Sequence, residues 1–241
     1  MKTTLCFDFG NTRLKCAVFN NKEIVKVITL EDDSVASIEK IITEEKPRKS
    51  ILSSVINHNP EIEALLEEKT KFHKLSEKSK LPFTIPVGKP ETVGADRLAL
   101  VAAAVYFYPK QHNLIIGLGS CITYNFVNKL HEFLGGAISP GLNMRFKAMN
   151  QFTAKLPLET ASSNFPLVGY DTKTNLQSGV ILGMAKEMDG IIDEYNLRYG
   201  NFNVHLTGGD MSFFVPLIKN KIFANPHLIF NGLYALSETN G

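Results

Sequence analysis

The chain is expected to be an α/β protein built from two similar domains, on three observations. Short apolar runs of strand length alternate with segments whose apolar residues recur at helical spacing. The strand, turn, strand pattern at the start returns about 109 residues later, with Gly119 lying on Gly10. And 241 residues, 44% of them hydrophobic and 21% charged, are enough to fill one large core or two small ones without covalent staples.

Taken in order, Leu5, Phe7 and Phe9, then Leu14, Cys16 and Val18, then Ile24, Val25, Val27 and Ile28 read as three strands joined by a Gly-Asn turn and an Asn-Asn hairpin. Helical spacing follows around Ile38 to Ile42 and Ile62 to Leu66, with a short buried strand from Ser50 to Val55 between them. Pro82, Pro86, Gly88 and Pro90 break any regular element before a helix from about Ala95 to Tyr108, which Pro109 ends. The segment from Leu114 to Gly136 then repeats the opening layout, Ser120 falling on Asn11 and Gly117 on Asp8, so domains of residues 1–113 and 114–241 are expected. A turn rich in Gly and Pro leads to a helix from Leu142 and a loop from Leu156 to Pro166. A long helix from about Asn175 to Tyr199, a strand ending in Leu206-Thr207-Gly208-Gly209-Asp210 and a closing helix near Asn231 complete the chain.

Composition excludes several function classes. A net charge of +2, from 26 basic against 24 acidic residues, is scattered, and the densest basic stretch, Lys69 to Lys80, lacks an aromatic ladder, so nucleic acid is not an expected partner. No apolar run approaches the ~20 residues of a membrane span, and the strand-like start comes too early for a signal peptide, which predicts a cytoplasmic protein without membrane contact. Cys6, Cys16 and Cys121 are too few and too far apart for a disulfide framework or zinc site, and the six histidines have neither i, i+4 spacing nor a neighbouring nucleophile.

Four short segments could carry chemistry. Asp8-Phe9-Gly10-Asn11-Thr12-Arg13-Leu14-Lys15 sets a carboxylate at a strand end before a glycine that lets backbone N–H groups approach an anion, with side-chain donors and a lysine following. That composition suits a phosphate cradle with Asp8 holding Mg²⁺, though the same residues also make a plain hairpin turn, and neither nucleotide-binding glycine fingerprint is present. Gly94-Ala95-Asp96-Arg97 opens a helix; Asp96 is either a dipole-favoured first-turn residue or a general base beside a carboxylate-binding arginine. Gly208 and Gly209 either admit a nucleotide against the backbone or form a simple turn, and Asp171-Thr172 precedes the long helix where a cap would stand.

In order and spacing, DFGNTRLK at 8–15, ETVGADR at 91–97, GSCIT at 119–123, LGGAISPGLNMRFKAMNQFTAKLP at 134–157, GYDTKTNLQSGV at 169–180 and LTGGD at 206–210 together resemble the type III pantothenate kinases over nearly the whole chain. The resemblance implies two RNase H-like, actin-like ATPase domains facing across a cleft, and ATP-dependent phosphorylation of pantothenate to 4′-phosphopantothenate, the first step of coenzyme A synthesis. It also implies that residues 8–15, Ser120, Gly208 and Gly209 bind ATP. Asp8 would hold Mg²⁺, Gly94, Ala95 and Arg97 would bind pantothenate, Asp96 would accept the proton, and Thr172 would reach the site of a partner subunit in a homodimer. Three positions depart from the family pattern: Gly117 and Asn125 replace aspartates of the second hairpin, and Val87 replaces a substrate-binding tyrosine. The first missing aspartate is the family's ligand for a monovalent cation, K⁺ or NH₄⁺. Two rival readings accompany these departures: a non-catalytic regulator similar to the Bvg accessory factor group, and a kinase for another small hydroxylated acid.

Overall fold

The computed structural model describes residues 2–86 and 88–240, so the expectation for Val87 lies outside the described residues. The first three strands are β1 (Thr3–Phe9), β2 (Leu14–Asn20) and β3 (Glu23–Leu30), paired antiparallel with Asp8 opposite Lys15. Every residue from Thr4 to Phe7 is buried, as a strand covered on both faces requires, and β1 accordingly lies in the centre of its sheet. Helix α1 (Val35–Glu45) begins where the Ser34 hydroxyl accepts a hydrogen bond from the Ser37 N–H and stops at Lys46, whose φ of 47° is left-handed. Next come β4 (Lys49–Ser54), α2 (Glu61–Lys69) and β5 (Lys71–Lys74), β4 running parallel to both β1 and β5. The sheet order is β3-β2-β1-β4-β5.

Because strand residues alternate faces, Leu5, Phe7 and Phe9 point to one side, where they pack with Leu52 of β4 and with Ile38, Ile41, Ile62 and Leu66 of the covering helices. Cys6 and Asp8 therefore point to the other side. That face is covered by the last helix of the chain, Leu228–Asn240, together with α3 (Ala95–Phe107), which follows a single 3₁₀ turn at Pro90–Thr92.

A second sheet comprises β6 (His112–Leu118), β7 (Cys121–Val127) and β8 (Phe133–Pro140), followed after α4 (Leu142–Gln151) and α5 (Thr172–Tyr199) by β9 (Phe202–Gly208), α6 (Met211–Phe214) and β10 (Phe223–Ala224). Its order, β10-β9-β6-β7-β8, is the first sheet's order over again: three strands in sequence, then two parallel strands beyond the first of them. The last helix, α7 (Leu228–Asn240), packs on α3, and Gly232 sits so tightly there that an added Cβ would strike the Ala99 carbonyl. Two compact units result. One runs to Lys110 and includes Val127–Gly135 and everything from His227 on; the other holds Gln111–Phe126 and Gly136–Pro226.

Four details differ from the sequence reading, the first being that Gly135, Gly136 and Pro140, expected in a turn, belong to strand β8. Strand β5 and the two-residue β10 were not anticipated, and α5 starts at Thr172 rather than Asn175 because Asp171 and Thr174 close a capping box. Among the described residues no helix is long and apolar enough to cross a membrane.

Candidate active site

In the first unit the β1–β2 turn is closed by a hydrogen bond from Gly10 N–H to the Arg13 carbonyl at 3.2 Å, which leaves Asn11, Thr12 and Arg13 exposed. Asp8 stands at the base of this turn between Lys15 on β2 and Ser53 on β4. Its carboxyl is pushed up to about 7 by burial first and by the Asp96 carboxylate second, with Lys15 pulling the other way. Asp96 lies in the first turn of α3, and burial raises it too, against the Arg97 N–H, which donates to Oδ1 at 2.8 Å, and the Arg97 charge. Gly94 makes this possible, since a Cβ there would lie 2.5 Å from Asp96 Oδ1 and displace it. Two desolvated carboxylates flanked by two cations can receive a proton or hold a hard cation.

Beside them, still in the first unit, a cavity of about 160 Å³ opens at the start of α3. Ile85, Lys89, Thr92, Arg97 and Phe133 line it, and the Arg97 guanidinium lies 5.6 Å over the Phe133 ring. A lysine and an arginine converging on a recess with apolar walls suit a small organic acid.

In the second unit the β6–β7 turn is tighter: Gly119 and Ser120 alone join the strands, and the Gly119 N–H donates to the Cys121 carbonyl at 3.1 Å. It is hemmed by two glycines: a Cβ on Gly141 would lie 2.6 Å from the Ser120 carbonyl, and one on Gly208, where φ is 102°, would strike that of Leu118. Gly209 has open space around it. At the place that Asp8 holds in the first unit stands Gly117, beside Thr207 in the parallel register. Asn125 is buried, its Nδ2 donating to the Ile115 carbonyl and Thr123 Oγ1, both at 3.2 Å.

Residues 4–194 match the type III pantothenate kinase family. Similar proteins named type III pantothenate kinase include one from Christiangramia forsetii, 40% identical with 98% of each chain covered. Others are from Flavobacterium johnsoniae, 38% identical over 98% of this chain and 96% of that one, and Bacteroides fragilis, 38% identical over 98% of each. The chain belongs to the type III pantothenate kinase family. Among solved structures it is similar in fold to a Baf family protein from Campylobacter jejuni, with a TM-score of 0.64, 22% identity and 98% of each chain covered. It also resembles in fold a polyphosphate/ATP-glucomannokinase from Arthrobacter, TM-score 0.51 and 10% identity over 99% of this chain and 98% of that one.

In this kinase the anticipated residues fall into two sets. Residues 8–15 and Gly94 to Arg97 come together in the first unit; Gly117, Ser120, Gly208 and Gly209 gather around one turn of the second. Thr172 is exposed at the first position of α5, next to its Asp171 cap. Lys89, Thr92 and Phe133 are the additions sequence reading did not supply. Phe133 lies 36 positions beyond Arg97, and only the parallel bridge between Thr84 and Glu132 brings its segment alongside, a pairing with no local signature.

Proposed function

We propose that this kinase phosphorylates the primary hydroxyl of pantothenate with ATP, using the part-buried pair Asp8 and Asp96 as its reacting centre. The observation that supports this most is that pair itself: two carboxyls raised together, one at a strand end beside a glycine turn and a lysine, the other at a helix start beside an arginine. Asp96 accepts the hydroxyl proton as the γ-phosphoryl leaves ATP, its raised affinity for protons suiting the task. Lys15 and the exposed residues 11–13 attract the phosphates, while Ser120, Gly208 and Gly209 offer the nucleotide a hydroxyl and bare backbone. Asp8 fits Mg²⁺, since a desolvated carboxylate facing another favours a counter-cation; the ion when bound neutralises phosphate charge. Pantothenate lies against Gly94 and Ala95 with its carboxylate on Arg97 and Lys89 and its apolar part on Phe133.

Monovalent cations play little part. Gly117 supplies no ligand side chain, and Asn125 meets its surroundings with an amide N–H where relatives have a carboxylate. We further propose a homodimer in which Thr172 reaches the partner's pantothenate, supported by Leu167, Val168 and Tyr170 lying 78%, 79% and 81% exposed just before it. Purified chain with Mg-ATP and pantothenate should yield 4′-phosphopantothenate; ATP binding without product, on pantothenate or other hydroxylated acids, would favour a regulator instead. Mixing inactive Asp96→Asn with inactive Thr172→Ala chains should restore activity if sites are shared, and exchange of subunits with no recovery would refute sharing.

A further inference from the structure

The residues above lie at the carboxyl end of β1 and the start of α3. At the opposite end of the same sheet is a larger recess, about 420 Å³, that the reaction leaves unused. Lys2, Lys22, Arg48, Lys49 and Lys71 line it, and Glu238 is the one carboxylate among the lining residues. A chain of net charge +2 thus places a formal surplus of four positive charges around a single opening.

The fold forces these cations together. β1, β4 and β5 run parallel, so their amino ends meet on one edge, where the turn between β2 and β3 joins them. Backbone hydrogen bonds tie the positions in a row: Asn21 N–H to the Lys2 carbonyl at 3.2 Å, Arg48 N–H to that of Thr3 at 2.9 Å, and Lys71 N–H to that of Arg48 at 3.0 Å. Neighbouring strands are about 4.8 Å apart. Lys49 and Lys71 are direct partners in the ladder, a like-charge pairing that destabilises a sheet.

Only Lys49 is answered, its Nζ lying 3.2 Å from Glu238 Oε1 and 3.2 Å from the Ser237 carbonyl it donates to. Lys2, Lys22, Arg48 and Lys71 form no ion pair among the described residues. Tyr234 gives the recess a firm wall, its ring stacked on Phe19 at 4.5 Å. The recess is no extension of the phosphate turn, because Thr3 and Asp8 are five residues apart on a strand, roughly 17 Å, more than the ~8 Å over which physiological salt screens exposed charges.

We propose that this recess binds a small anion bearing two or more phosphate groups, either an inorganic polyphosphate or an organic phosphate ester. A single carboxylate would leave most of the positive surplus unmatched, whereas a guanidinium and several ammonium groups on four separate segments suit phosphates spaced along one molecule. A nucleic-acid strand needs an extended track with free aromatic platforms, and the one lining ring is already stacked.

Calorimetric titration of the full chain with tripolyphosphate, for wild type, Lys15→Gln and Lys22→Gln/Lys71→Gln, tests this. The double variant should lose one equivalent bound per chain, with affinity down about tenfold or more for each cation removed, while its phosphorylation of pantothenate at saturating ATP persists. Lys15→Gln should keep that equivalent. Thermal melting adds a readout: tripolyphosphate should raise the wild-type midpoint more than that of the double variant, which should be at least as stable as wild type without anion. Displacement by adenosine 3′,5′-bisphosphate would identify an ester site, and failure to displace an inorganic one. Equal stoichiometry in wild type and double variant, loss of all binding in Lys15→Gln, or retention of an oligonucleotide in place of tripolyphosphate would overturn the proposal.

Discussion

The two glycine hairpins of this kinase occupy the same place in their sheets and differ in length and in charge. Each follows the central strand of a sheet with the same strand order, but the first is closed by the Gly10 N–H on the Arg13 carbonyl and the second, two residues shorter, by the Gly119 N–H on the Cys121 carbonyl. The first carries Asp8, opposed to Lys15 in register and raised by Asp96. The second has Gly117, Ser120 and the amide of Asn125, and its shape is held by the crowding of Gly141 and Gly208. The carboxylate and its facing lysine stand at the first turn, the tightly fitted glycines at the second. The first hairpin is chemically specialised, the second sterically so.

If that division is right, removing charge from the first unit should cost most. Asp96→Asn should lower kcat by about 10²- to 10⁴-fold with a melting temperature at least as high as wild type, because Asp96 is not the cap of α3 and its desolvated charge opposes that of Asp8; a near-wild-type rate would end its role as base. The next effect is on stability and depends on pH. Asp8 is raised from 3.8 to about 7 in the fold, so its contribution is favourable below about pH 4 and is lost as pH rises through 7. Ionised Asp8 then costs at most about 4 kcal/mol. Asp8→Asn should therefore be more stable than wild type at about pH 8, converge with it near pH 4 and no longer be stabilised by Mg²⁺, as urea unfolding at both pH values would show.

For the second hairpin the expected losses are steric. Gly208→Ala should destabilise by about 3 kcal/mol, from a left-handed backbone and a collision with Leu118, and a melting temperature like wild type would show that the turn yields easily. The smallest effect concerns the missing carboxylate. Exchanging sodium for potassium should barely change the wild-type rate, while Gly117→Asp should make it cation-dependent; strong potassium activation of the unaltered chain would place that site elsewhere.

Much of this was legible in the sequence because it rests on local patterns. Leu5, Phe7 and Phe9 announce β1, the recurrence of its turn at Gly119 announces the second sheet, and the Asp8 and Asp96 segments stand next to glycines. β5 was hidden because KFHK is charged at both ends and becomes a strand only by pairing with β4. The pairing of Asp8 with Asp96 is equally non-local: face alternation in β1 aims Asp8 away from Phe7, but which helix start it meets is settled by tertiary packing. Lys89 and Phe133 stayed out of view for the same reason, as did the basic recess, whose cations come from four segments spread over 70 positions.

The contact of Gly232 with Ala99 has a consequence for how the chain is made. Ribosomes deliver residues in order, and the segment that fits Gly232 against α3 emerges after every residue of the second unit. The first unit therefore waits with the apolar flank of α3 uncovered while the second is already free to form. A stalled nascent chain ending before His227 should be protease-resistant in its later half and cleaved in its earlier one, the reverse of the order in which the two were synthesised.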